Sequence, residues 1–280
     1  MKYLITRCTV YDMAGWAMIQ GADIGLRQLD PGMQFKILVH PEHDNPLSPW
    51  PTTASANMGI EWADVVLDIG GLCQGADPER LSYINKCREK GIPYIYMAQS
   101  FFKPDPAIVR GIPAVARGKR SAEHYFQATG KLIPLASDLS FLLKPKPWVG
   151  EKFVSGYTTD YTKPWQKMKL TGNAVQLIWK PDRGSNVYEP RVCVGVPEIY
   201  GLPDVLFGAI ASLKRLSSSR YHPGVAAILG KIPVEFFVNE YTKYEDLLDL
   251  SGLESDKLRD LAMVSCHYVM GVLSGAVKGS

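Results

Sequence analysis

The chain has 280 residues, 46% of them hydrophobic and 21% charged, with a net charge of +3. This is a globular composition long enough for two moderate domains, with no acidic or basic tail; it is compatible with a small anionic substrate and neutral on nucleic acid. Five scattered cysteines without a CxxC spacing exclude a disulfide frame or a zinc-binding knuckle, the first apolar run is too short for a signal peptide, and no segment approaches membrane-spanning length. The expected location is the cytoplasm.

In chain order, "KYLITRCTV" reads as a buried first strand, and a loop then leads into a helix that stops at Pro31-Gly32. "FKILVH" is a second strand, and "DVVLDI" a third that ends in the double glycine Gly70-Gly71. "DPERLSYINKCREKGIP" is a capped helix, with Asp77 at the cap, Pro78 at the first position and Gly91 past the end. "YIYMAQS" follows as a strand, then "AVAR" and "LIPLAS" as two more, with the helix "SAEHYFQATG" between them and Ser121 as its cap. Apolar strands alternating with helices predict a mostly parallel sheet covered on both faces.

The prolines of "KPKPW" (144–148) predict a linker, which divides the chain into an N-terminal Rossmann-like domain at 1–146 and a C-terminal one at 147–280. Residues 150–184 show no clear period. "RVCVGVP" restores a strand and "LPDVLFGAIASLKR" a helix. In "SSSRYHPGVAAILGKIPVEFF", Pro223 suits a first helical position, Gly230 a stop, and "IPVEFF" a strand. A last helix near 254–277 crosses back to the first domain in this reading.

Candidate functional residues gather at strand ends, where ligands bind in such sheets. Gly70 and Gly71 allow close backbone approach, Gln99 and Ser100 can hydrogen-bond a substrate, and Arg117 ends an apolar strand. Arg220 and His222 stand where a strand gives way to a helix, whose free N–H groups and dipole favour anions. The plain alternatives are a tight turn for the glycines, a turn-stabilising Ser100 and surface polar groups for Arg220 and His222. "HPEHD" lacks the rest of a metal site, and no GxGxxG, P-loop or GxSxG pattern occurs.

Taken in order, "ADVVLDIGGL", "PYIYMAQSFF", "VARGKRSAEHYFQATG", "LASDLSF" and "SSSRYHPGVAAILGKIPVEFF" resemble the signatures of the polysaccharide pyruvyl transferase family. The resemblance covers roughly residues 60–143 and 216–253. Trp16 after Gly15 departs from the Asn-x-Gly-Asp common in that family's first loop, and the second half is compressed. The resemblance implies an α/β fold of two Rossmann-like domains facing a cleft (GT-B-like), with the second domain reduced. It implies a transferase moving a pyruvyl group from phosphoenolpyruvate to a sugar hydroxyl pair, without cofactor or metal. Arg117, Arg220 and His222 would be its catalytic residues, and Gly70, Gly71, Gln99, Ser100, Tyr221 and Lys243 would bind substrate. Arginines suit a donor carrying carboxylate and phosphate, and His222 would hold phosphate or protonate the enol carbon. The alternative is a GT-B glycosyltransferase using a nucleotide sugar, with a carbohydrate or a modified DNA base as acceptor.

Overall fold

A computed structural model describes residues 1–8, 13–39, 48–69, 71–145, 155–158, 174–177, 203–218, 221–236 and 243–277. The expected strand at 191–197 lies outside them, as does the cysteine at 193.

The first sheet starts with β1 (Lys2–Thr6), which stops earlier than its apolar run suggests because Arg7 takes a left-handed conformation (φ 63°). Helix α1 (Met13–Leu29) leads to β2 (Gln34–Leu38), and two elements with weak sequence signals follow, β3 (Thr52–Thr53) and α2 (Ala56–Trp62). β4 (Val65–Asp68) precedes a short β5 (Leu72–Gly75). Helix α3 (Pro78–Lys90) has the expected caps: the Asp77 carboxylate accepts from the Arg80 N–H, and Gly91 takes the left-handed turn (φ 66°). β6 (Tyr94–Pro104), α4 (Pro106–Val109), β7 (Ala114–Ala116) and α5 (Lys119–Thr129) complete this half. The strands run β3-β2-β1-β4-β6-β5 with β7 also on β6, all in parallel register.

Alternate residues of each strand enter opposite cores, which is why both neighbours in a strand are apolar. Tyr3, Ile5, Val65, Leu67 and Ile95 face one core, while Leu4, Val66, Tyr94 and Tyr96 face the other with Ile84 and Cys87 of α3.

"LIPLAS" is not a strand. Only a single bridge joins Leu135 to Ala116, and the chain then turns into a 3-10 helix at Leu139–Leu142. Asp138 caps that turn by accepting from the Ser140 N–H at 2.9 Å, a local bond that competes with sheet pairing.

The second sheet holds four parallel strands among the described residues, in the order β11-β10-β8-β9: β8 (Ser155–Thr158), β9 (Ala174–Leu177), β10 (Leu216–Ser218) and β11 (Val234–Phe236). Its helices are α6 (Pro203–Ala211), α7 (Tyr221–Leu229) and α8 (Lys243–Leu248). The last helix, α9 (Ser255–Leu273), packs on α1 and the 3-10 turn of the first half. Small residues permit that approach: a Cβ on Gly21 would lie 2.0 Å from the Leu139 carbonyl oxygen, and one on Gly25 2.4 Å from Cys266 Sγ.

Candidate functional site

β6 carries a distortion just ahead of Gln99. Ala98 has φ 50°, and the pairing of β6 with β7 shifts register between Tyr96 and Gln99. A non-glycine residue in this region costs roughly 1–2 kcal/mol, and such irregularities re-aim the side chains that follow. The residues that follow are Gln99 and Ser100, both buried.

Arg117, at the end of β7, lies against them. Its N–H donates to the Gln99 carbonyl at 3.1 Å, and its Nε to Ser100 Oγ at 2.5 Å. Nη1 donates to Asp138 Oδ2 at 2.7 Å, and the guanidinium stacks 4.2 Å from the centre of the Tyr221 ring. Arg117 is only 4% exposed, so this guanidinium sits inside the protein and its Nε and Nη1 are engaged. Its partner Asp138 holds the charge inside the protein at the end of that strand.

The other side of Asp138 meets the second half of the chain. Helix α7 begins at Tyr221, two residues earlier than expected, which puts His222 in its first turn. Pro223 is tolerated there because the early N–H groups of a helix have no internal partner. His222 Nε2 lies 3.5 Å from Asp138 Oδ2, an ion-pair distance at which strict hydrogen-bond geometry is not met. The Tyr221 and His222 rings meet edge to face at 5.3 Å, and among the described residues the buried Tyr221 hydroxyl has no hydrogen-bond partner. The small residues of α7 serve packing: a Cβ on Gly224 would fall 2.2 Å from the Phe236 ring.

Burial alone would push the Asp138 carboxyl up. His222, Arg117 and the Ser140 hydroxyl outweigh it and hold the group well below the usual carboxylate range. Burial also opposes the charge of Arg117, but Tyr221 and Asp138 hold it on, and burial pushes the Tyr221 hydroxyl far above its ordinary value.

A second carboxylate ties the halves together. Helix α5 begins at Lys119, so Ser121 is not its cap, and Gly118 at the cap position offers no side chain. Asp246 of α8 takes over by accepting from the Arg120 N–H at 2.8 Å and the Ser121 hydroxyl at 3.2 Å. A Cβ on Gly118 would stand 2.1 Å from the Asp246 carboxyl carbon, which explains the glycine. Burial raises the Asp246 carboxyl despite those donors.

Of the residues singled out in the sequence, Gln99, Ser100, Arg117, Tyr221 and His222 thus come together around Asp138. Gly71 is an exposed left-handed residue (φ 68°) next to Leu72, the register partner of Ser100. Gly70 and Arg220 lie outside the described residues, and Lys243 opens α8 with its side chain outside them. Asp138 and Asp246 were missed as site residues. "SDLS" carries a legible capping signal for Asp138, whereas nothing local marks Asp246 as a cap for an N–H 126 residues away. Among the described residues no group of three His, Cys, Asp or Glu side chains could hold a metal, and no helix is long and apolar enough to cross a membrane. The "HPEHD" segment lies outside them.

No family model matches the chain, and no curated protein matches it in sequence. Solved structures are similar across nearly the whole chain. A Listeria monocytogenes protein assigned as a UDP-N-acetylglucosamine 2-epimerase shares 11% identity over 98% of this chain and 96% of its own, with a TM-score of 0.58. The Neisseria meningitidis UDP-GlcNAc 2-epimerase bound to UDP-GlcNAc shares 10% over 98% and 100% (TM-score 0.54). S. aureus MnaA in complex with UDP shares 10% over 98% and 96% (TM-score 0.54). At such identities the likeness speaks for the fold, and the fold is the α/β, GT-B-like one that the sequence implied.

Proposed function

We propose that the chain is a group transferase that moves a pyruvyl group from phosphoenolpyruvate to a pair of sugar hydroxyls. One observation carries this reading: Gln99-Ser100, Arg117, Asp138–Phe141 and Tyr221-His222, which lie in four separate motifs of the resemblance, meet around a single carboxylate. In this reading the domains are 1–146 and 147–280, and the site lies between them. Arg220 and the N-terminus of α7 hold the anionic donor, with Gly70, Gly71, Tyr221 and Lys243 around the substrates. Arg117 is a catalytic residue through the Asp138–His222 arrangement that it holds charged.

His222 gives a proton to the methylene carbon of the enol. One sugar hydroxyl adds to the adjacent carbon and returns a proton to His222, phosphate departs with the C–O bond electrons, and the second hydroxyl closes the ketal as its proton leaves on the phosphate. Arginine and imidazole supply the charge and the proton, so the reaction is written without metal or cofactor.

A second reading is favoured by the fold's likeness to structures that hold UDP and UDP-GlcNAc. There the same site grips the diphosphate of a nucleotide sugar, and the acceptor is a carbohydrate or a modified DNA base.

Thermal shifts with phosphoenolpyruvate and with a panel of nucleotide sugars separate the two. A donor present at a hundred times its dissociation constant should stabilise the protein by about 2.7 kcal/mol. Stabilisation by phosphoenolpyruvate alone is the expected result; stabilisation by a nucleotide sugar alone overturns the pyruvyl reading.

A further inference from the structure

Asp138 is fully buried, yet it is no ordinary structural carboxylate. Oδ1 accepts from the Ser140 N–H at 2.9 Å and from the Ser140 hydroxyl, which fixes the plane of the group. Oδ2 accepts from Arg117 Nη1 at 2.7 Å, and the same oxygen faces His222 Nε2 at 3.5 Å. One guanidinium already balances the charge of Asp138, so the imidazole is a third party held at the remaining side of Oδ2. A carboxylate next to one ring nitrogen favours the tautomer that carries its proton there and leaves the other nitrogen to work. Catalytic hydrogen bonds are often long before substrate arrives, so 3.5 Å is within the range of a contact that tightens on binding.

We propose that Asp138 is the positioning residue for His222: its carboxylate holds one ring proton on Nε2, so that the transferable proton of the imidazolium is the one on Nδ1, which goes to the substrate and leaves the neutral Nε2–H form. The proposal deepens the reading of His222 as the proton donor and rests on it for its catalytic consequence, though not for the tautomer itself. It assigns Arg117 and Ser140 the task of holding Asp138 still and ionised. The Tyr221 ring, edge to face with the imidazole, limits rotation out of this arrangement.

The test is a long-range proton–nitrogen spectrum of full-length protein labelled with ¹⁵N-histidine, with the His222 signals identified by their loss in His222→Gln. A free imidazole already prefers the Nε2–H form, so the discriminating result is the comparison between proteins. At a pH where the imidazole is neutral, wild type should show His222 in that form alone, and Asp138→Asn should show both tautomers. If Asp138→Asn does not fold, Ser140→Ala serves: it keeps the carboxylate but loosens it, and the second tautomer should emerge to a smaller extent. Two tautomers in wild type, or an Nε2–H form undisturbed in the folded variant, would overturn the proposal.

Turnover adds an independent readout. A general acid is worth about 10²–10⁴-fold, and Asp138→Asn should lose a large part of it while donor affinity stays within about threefold. Expected spectra with no turnover of phosphoenolpyruvate in wild type would remove the pyruvyl reading and leave the positioning role intact.

Discussion

Two buried arginine–aspartate pairs, Arg80–Asp68 and Arg117–Asp138, differ in how they are finished. In the first half, Arg80 is 1% exposed and reaches Asp68 through Nε at 2.7 Å and Nη2 at 3.5 Å. The Tyr94 hydroxyl donates to the same carboxylate at 2.7 Å, and Asp77 accepts from Arg80 Nη1 at 3.1 Å. Among the described residues these partners come from β4, β6 and α3 with its cap, and Arg7 after β1 also reaches Asp77, so the cluster closes within one half. The Arg117–Asp138 pair is equally buried, but its third partner is His222 from the other half, and among the described residues two neighbouring polar atoms, His222 Nε2 and the Tyr221 hydroxyl, have no hydrogen bond. A buried ion pair is by itself weak evidence of function. What separates these two is completeness: the closed pair is bonded within the protein, while beside the open one the Tyr221 hydroxyl is unbonded among the described residues, and in the proposed reading a ligand completes it.

The comparison breaks most easily at the closed pair. Asp68→Ala leaves the buried Arg80 with only the more exposed Asp77 as counter-charge, and loss of one partner of a buried pair costs up to about 3–5 kcal/mol. Chemical denaturation should show a loss of that size, with activity per folded molecule unchanged. A loss below about 1 kcal/mol would mean that the cluster is not the closed structural unit described above.

The sequence revealed the elements better than it revealed this distinction. Helix α3 was legible because all its signals are local: Asp77, Pro78 and Gly91 lie within a residue of the ends. The parallel sheet was legible because strands buried on both faces are apolar at every position. "LIPLAS" misled for the same reason, since an apolar run reads as a strand whether or not a neighbour's edge is free, and here the Asp138 cap turned the chain first. The strain at Ala98 has no sequence signature, because alanine fits any element. Arg117 was singled out as a candidate from its place at a strand end, but its buried setting depends on Asp138 and Tyr221, which only the folded chain brings to it.

The acid limb of stability sharpens the comparison at the open site. Asp138 is depressed in the folded state, so its contribution is complete above the unfolded aspartate value of about 3.9 and is lost as pH falls through the folded value. Asp246 is raised by burial, so the sign is opposite: its ionisation costs stability as pH rises from about 4 towards its folded value. The stability gap between wild type and Asp138→Asn should therefore shrink below pH ~4, by up to the scale of a charged hydrogen bond, about 1.5–3 kcal/mol. Wild type should lose ground against Asp246→Asn over the interval just above pH ~4. Denaturation at a series of pH values checks both, and parallel curves for the two variants would contradict the opposite settings of these carboxylates.

The smallest effect is the most telling. Tyr221 is 3% exposed, its ring carries the Arg117 guanidinium, and its hydroxyl is buried without a partner. Tyr221→Phe keeps the ring and its cation contact and removes only the unpaired oxygen. A desolvated hydroxyl that makes no bond contributes nothing to the free protein, so the variant should be as stable as wild type or up to about 1 kcal/mol more stable. If the hydroxyl is completed by the donor, binding should lose one hydrogen bond, about 0.5–1.5 kcal/mol, a two- to tenfold weaker affinity. The matching change in the closed cluster, Tyr94→Phe, removes a hydroxyl that does donate to Asp68, and it should lower stability while leaving donor affinity alone. Stability and donor affinity measured on both variants therefore cross over if one cluster is finished by the protein and the other by its ligand. Equal behaviour of the two tyrosines would show that both clusters do the same structural work.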